Sequence, residues 1–162
     1  MADSLRPPRH RIERRAVLWW VLRALLTYGL LVVGLGVAAV VWDAGRVWLL
    51  PLLVLAGAVL VAHAVIAPPW RLAVHRWETT DEAVYALTGW YVREWRVAPL
   101  SRVQTVDAVR GPLEQLLGLA TLRVTTASSS GAITIVGLDH HLAAETADRL
   151  TEVTERIPGD AT

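Results

Sequence analysis

The sequence predicts an α+β membrane protein, a two-helix transmembrane hairpin followed by a small antiparallel β domain that one C-terminal helix covers. Three observations carry this. Two apolar runs, Ala24 to Trp42 and Val47 to Ala67, hold 19 and 21 residues without a charge, and only Asp43-Ala44-Gly45-Arg46 separates them. After Pro68-Pro69 the pattern changes to short β-branched and aromatic runs punctuated by Gly, Pro and Ser. The chain then finishes on Leu142, Thr146, Leu150, Val153 and Ile157, an apolar stripe at helical spacing.

Each apolar run is long enough to cross a bilayer, because a hydrocarbon core about 30 Å thick needs roughly 20 helical residues. Lipid offers no partner to backbone N–H and C=O groups, so a crossing segment satisfies its own by forming a helix. The first run exceeds the apolar core of a cleaved signal peptide and lacks a convincing small-residue cleavage site. Spans over about residues 20–42 and 47–67 lie within a hairpin region, 16–67. Six Arg, among them Arg14, Arg15 and Arg23, precede the first span, and Arg71 and Arg76 follow the second. The turn carries only Arg46, so the positive-inside rule places both termini in the cytoplasm. Trp19, Trp20, Trp42, Trp48 and Trp70 fall at the ends of the spans, where amphipathic rings mark the headgroup boundary. Arg23 lies within reach of that boundary through its long side chain.

Small residues recur four apart, Gly34 and Ala38 in the first span and Ala58 and Ala62 in the second, as close helix packing requires. They fit packing within the hairpin as well as packing against another protein. His63 is the one His in the spans; it sits near the cytoplasmic end without an acid beside it, so a proton relay is the weaker reading.

Residues 1–15 are polar and contain Pro7-Pro8, which predicts a disordered basic arm, and residues 158–162 read as a tail. Residues 1 to 23 carry six Arg against two acids, and residues 70 to 162 carry nine Arg against twelve acids. A basic arm beside an anionic membrane surface needs no nucleic acid to explain it. The absence of cysteine excludes disulfides, thiolate metal sites and cysteine nucleophiles.

The soluble domain, 70–157, begins when Pro68-Pro69 ends the second span, since proline lacks an N–H and disfavours helix before it. Strands are expected at residues 71–78, 83–87, 90–97, 103–110, 121–127 and 132–136, with a turn at Thr88-Gly89 and one helical turn over 113–117. Asp139 is placed to cap the last helix, and Pro158-Gly159 to stop it.

The stretch Pro99-Leu100-Ser101-Arg102, followed by GPLEQLLGLATLRV from Gly111 and by Ile135 to Leu138, resembles the YdbS-like bacterial pleckstrin-homology (PH) domain membrane proteins. The residues that carry it are those four with Gly111, Pro112, Leu113, Gly118, Leu119, Ala120, Thr121 and Leu122, and the likeness covers roughly residues 15 to 157. One position departs, with Leu117 where the family commonly has Phe. The resemblance implies a PH-like β-barrel of about seven strands capped by the C-terminal helix, facing the cytoplasm. It also implies, as partner, a larger membrane relative with repeated PH-like domains.

No constellation of residues points to catalysis. Asp139-His140-His141 with Glu145 offers at most a thin metal or acid–base set, best explained as a solvated helix start, so no catalytic residue, cofactor or metal is assigned. Ser128-Ser129-Ser130-Gly131 reads as a hairpin loop. Headgroup recognition would need converging cations, but the turn Leu87-Thr88-Gly89-Trp90 has none, and Arg93 and Arg96 bracket Glu94. Arg102, Arg110 and Arg123 read as solvated or salt-bridged strand residues. The expected function is a membrane-anchored, non-enzymatic interaction module that binds a partner membrane protein or self-associates. A sensor of anionic lipid or of the envelope state is the alternative.

Overall fold

The two apolar runs form two long helices in the computed structural model, which describes residues 8–127 and 131–156. Helix α1 spans Arg15–Val41 and α2 spans Asp43–Val74, and both are long and apolar enough to cross a membrane. The turn between them is held by Arg46, whose Nε donates to the Ala39 carbonyl at 2.9 Å while its Nη2 meets Asp43 at 2.5 Å. The last carbonyls of a helix have no intrahelical donor, so the guanidinium supplies one. The Trp42 ring lies over Gly45, where any Cβ would collide with it.

The spans pack on one another. Ala39 and Ala56 are buried, whereas Gly34 and Ala58 face outward and Ala38 and Ala62 are half-buried. A four-residue spacing marks a face without saying which way it turns. Each helix also contains one π-helical turn, Leu25–Gly29 in α1 and Ala62–Ile66 in α2. The second explains why Pro68-Pro69 does not stop the helix. There the Ala67 N–H bonds to the Ala62 carbonyl five residues back, and this wider turn relaxes the crowding that a proline ring imposes on the preceding turn. The helix runs on to Val74, so the strand expected from residue 71 starts only at Arg76.

Seven strands follow the resemblance in number: β1 His10–Arg11, β2 Arg76–Thr79, β3 Ala83–Gly89, β4 Arg93–Pro99, β5 Val103–Val109, β6 Leu119–Thr126 and β7 Ile133–Asp139. They form two antiparallel sheets, β1-β2-β3-β4 and β5-β6-β7, rather than a closed barrel. A short helix α3, Pro112–Leu117, joins β5 to β6, and α4, His140–Arg156, follows β7. The core is built from Val84, Leu100, Leu119, Leu122, Val124, Ile135, Leu138 and Leu150. Helix α4 covers β5, β6 and β7 through Ala143, Thr146, Ala147 and Leu150. Leu142, expected on that face, is 41% exposed. Small Ala side chains let the helix approach the sheet closely, which rotates the contact face by about one residue from the stripe of large ones.

The seventh strand comes from the stretch expected to be a disordered arm. For residues 8–15 that expectation does not hold. His10 and Arg11 pair with Trp77 and Arg76 of β2, Ile12 and Ala16 are buried, and the Glu13 N–H donates to the Gly137 carbonyl at 2.8 Å. A two-residue ladder uses backbone groups, so a count of apolar side chains does not reveal it. Described residues up to Ala16 and from Arg71 onward make one compact unit, and Val17–Trp70 make the other. Residues 1–7, the Ser128–Ser130 loop, Ile157 and the 158–162 tail lie outside the described residues.

Candidate functional site

The residues that carry the family resemblance form a structural joint. Pro112 starts α3, where a missing N–H costs nothing, and Gly118 ends it in the left-handed conformation at φ +66°. Buried Glu114 closes the joint. Its Oε2 accepts from the Gly111 N–H at 2.6 Å and its Oε1 from the Thr121 hydroxyl at 2.6 Å. Leu119, Ala120 and Leu122 then enter the core. Leu100 is buried too, with its N–H donating to the Glu82 carbonyl at 2.8 Å. Leu113 starts the turn after Pro112, and Ser101 is exposed beside Arg102.

Arg15, expected at the headgroups, binds the domain. Its Nη2 donates to Asp139 at 2.7 Å and its Nη1 to the Leu117 carbonyl at 3.1 Å. The guanidinium holds the Asp139 carboxyl below its usual range, aided by the His141 N–H that Asp139 caps at 3.0 Å. The cap predicted at Asp139 is therefore present, with a cation tied to it. The His140 and His141 rings lie against each other, tilted by 38° with centroids 3.9 Å apart. Glu145 is exposed, and among the described residues no His, Asp and Glu cluster is arranged to hold a metal.

Of the remaining interface residues, Trp42, Trp48 and Trp70 are exposed, as is Arg14, while Trp19 and Trp20 are buried. Arg23 stacks over Trp19, 5.7 Å from its centroid. In the spans, Tyr28 and His63 bring their rings to 4.8 Å, each on one of the two π-helical turns. Residue spacing carries no sign of that pairing, because π turns leave no mark in it.

Sequence reasoning also missed a cleft along β4. It is about 390 Å³ in volume, bounded by Trp95 to Pro99 on one side and by Arg102, Thr126 and Ile133 on the other. β4 is the last strand of its sheet, and among the described residues no ladder joins it to β7. Arg96 spans the gap instead. Its Nη1 donates to the Ala132 carbonyl at 2.8 Å, and its Nε and Nη2 donate to Glu94 Oε1 at 2.9 and 2.7 Å. Arg96 and Glu94 thus neutralise each other, as their proximity in sequence hinted. Exposed Arg102 lines the cleft, and among the described residues its guanidinium has no ion pair or hydrogen bond.

Residues 21–154 match the bacterial PH domain family, a match that runs through both long helices and the domain. The chain is 31% identical over 113 residues to the UPF0699 transmembrane protein YdbS of Bacillus subtilis (strain 168), covering 70% of this chain and 62% of that protein. It thus spans less than two thirds of that relative's length. No solved structure matches. With the family match covering most of its length, a transmembrane relative aligned over 70% of it and two helices of its own long and apolar enough to cross a membrane, this protein belongs to the bacterial PH domain family, as a YdbS-like member.

Proposed function

We propose that this protein is a membrane-anchored, non-enzymatic interaction module that receives an extended segment of a partner membrane protein along the edge of β4. The arginine placement around the spans supports a cytoplasmic position for the domain, in a bacterial inner membrane. The observation that carries the reading is the edge itself. β1, the opposite edge of the same sheet, is two residues long, and β5, an edge of the other sheet, packs against α4 while most of its residues stay exposed. β4 offers seven residues and an open cleft beside them. An edge strand presents unpaired N–H and C=O groups, and a partner strand added there gains main-chain hydrogen bonds while the cleft selects its side chains. The charges on Arg93, Glu94 and Arg96 guard such an edge against indiscriminate pairing, which leaves Trp95 to Pro99 as its receptive part.

A photoreactive residue at Val97, in the full-length protein in its own membrane, tests this. One discrete crosslinked species at Val97 and none at exposed Asp148 on α4 is the expected result, and an adduct at twice the chain's mass identifies the partner as a second copy. Equal labelling at both positions, or none at either, overturns the edge as the interface. A second reading, an anionic-lipid or envelope-state sensor, is favoured by one observation, the Arg102 guanidinium that lines the cleft and pairs with no side chain or carbonyl among the described residues. It requires that anionic nanodiscs, compared with zwitterionic ones, slow hydrogen exchange around Arg102 in a salt-sensitive way.

A further inference from the structure

The turn between β3 and β4 is built unlike a solvent loop. Gly89 adopts φ +116°, and a Cβ there would run into the Val92 carbonyl, so the chain reverses tightly and projects Trp90, Tyr91 and Val92. Tyr91 is 88% exposed and Val92 71%. Three consecutive apolar or aromatic residues at the tip of a hairpin are costly in water unless something covers them.

The position of this tip along the chain points to a cover. The Arg71 guanidinium lies over the Trp90 ring, 5.8 Å from its centroid. Arg71 directly follows Trp70, where the second apolar run has ended, so Trp90 is held at the residue with which the domain unit resumes. We infer that the β3–β4 turn inserts Tyr91 and Val92 into the headgroup boundary of the bilayer that the protein spans. The aromatic ring and its neighbours match that boundary, where Trp and Tyr place an apolar body in the acyl region and a polar end among the headgroups. Arg71 and Arg93 flank the tip and supply donors to lipid phosphates. The acid nearest in sequence, Glu94, is engaged by Arg96 and so adds little repulsion from an anionic surface. The inference is independent of the β4-edge reading: it concerns lipid, and it needs no protein partner.

The chain contains no cysteine, which makes single labels clean. Tyr91→Cys and Val92→Cys, each carrying an environment-sensitive fluorophore, are compared with Asp148→Cys in the full-length protein in nanodiscs whose lipids carry a spin label just below the headgroup. Quenching by the lipid label is expected to be several-fold stronger at positions 91 and 92 than at 148, with iodide in the aqueous phase showing the reverse order. Replacing Arg71 by Ala should weaken the lipid quenching at both tip positions by releasing Trp90. Lipid quenching at 91 and 92 no stronger than at 148 overturns the inference. Both positions are so exposed that labelling them leaves the fold in place, and the iodide series confirms it by its ordinary value at 148.

Discussion

Replacing Gly137 by Ala tests whether the segment before the first span is part of the domain. Gly137 lies in β7 at φ +72°, and a Cβ built on it would stand 2.6 Å from the Cβ of Ala16, which is fully buried. Two terms follow. The left-handed conformation costs a residue with a Cβ about 1–2 kcal/mol, and overpacking a filled interior costs about 1–3 kcal/mol. Together they give roughly 2–5 kcal/mol of destabilisation, if the terms add. The readout is hydrogen exchange of β6 and β7 amides in the full-length protein in nanodiscs, where a loss of about 2 kcal/mol speeds exchange roughly 30-fold. Adding Ala16→Gly removes the colliding methyl. That change alone costs about 0.5–1 kcal/mol in a helix, yet in the Gly137→Ala background it should restore part of the protection. If the double variant is as unstable as the two changes summed, residues 12–16 do not pack on β7 and the steric argument is wrong.

The other predictions concern the buried carboxylate and acid sensitivity. Glu114→Ala leaves the half-buried Gly111 N–H and the buried Thr121 hydroxyl without their acceptor, the buried one costing about 1–3 kcal/mol. Glu114→Gln, which keeps one acceptor oxygen, should fall between Ala and the native protein in thermal unfolding in nanodiscs. If Ala and native unfold together, the α3 joint is not held by Glu114. The domain should also lose stability in acid in two steps. Burial, outweighing the bond to the Arg71 carbonyl, lowers the pKa of His75 below 6.5, so the unfolded chain takes up the proton first. Its contribution is whole above pH 6.5 and declines as pH falls below that. Asp139, lowered from 3.8 chiefly by Arg15, contributes above that value and loses its contribution as pH falls through its folded pKa. Asp139→Asn keeps an oxygen for the His141 N–H but no charge for Arg15, so it should abolish the lower step and leave the upper one. Unfolding midpoints that stay constant from pH 7 to about 5 would refute the role given to His75.

The hairpin was legible because a charge-free run of about 20 residues has few other uses. Strands β3, β5, β6 and β7 were legible within a few residues, since one-sided burial leaves its alternation in the sequence, as at Leu122, Val124 and Arg123. What escaped was written in the backbone. β1 needs only two residues' N–H and C=O groups, and α2 passes Pro68-Pro69 because a π turn precedes them. The cleft escaped for a related reason. It depends on which sheet edges remain unpaired, and local pattern does not report the absence of a neighbour. Trp19 and Trp20 carry the composition of an interface belt, yet burial depends on what packs on them, which residue type alone leaves open.

The order of parts along the chain differs from the order in the fold, and this bears on how the domain acts. The chain leaves the compact domain unit at Ala16 and rejoins it at Arg71, and both points lie inside continuous helices. On the outgoing side the Glu13 N–H, the Arg15 guanidinium and the buried Ile12 and Ala16 fasten the segment to β7, the α3 end and Asp139. On the returning side the His75 N–H and Nδ1 both bond to the Arg71 carbonyl before β2 begins. A domain cut to begin at Trp70 would therefore lack β1, uncover Trp77 where the His10 ring lies 5.4 Å away, and strip Asp139 of its cation. Such a fragment would misreport lipid and partner binding alike, because the surface it exposed would be one the intact chain keeps covered. The hairpin is thus an insertion into the PH domain, and the segment before the first span completes the sheet whose far edge is β4.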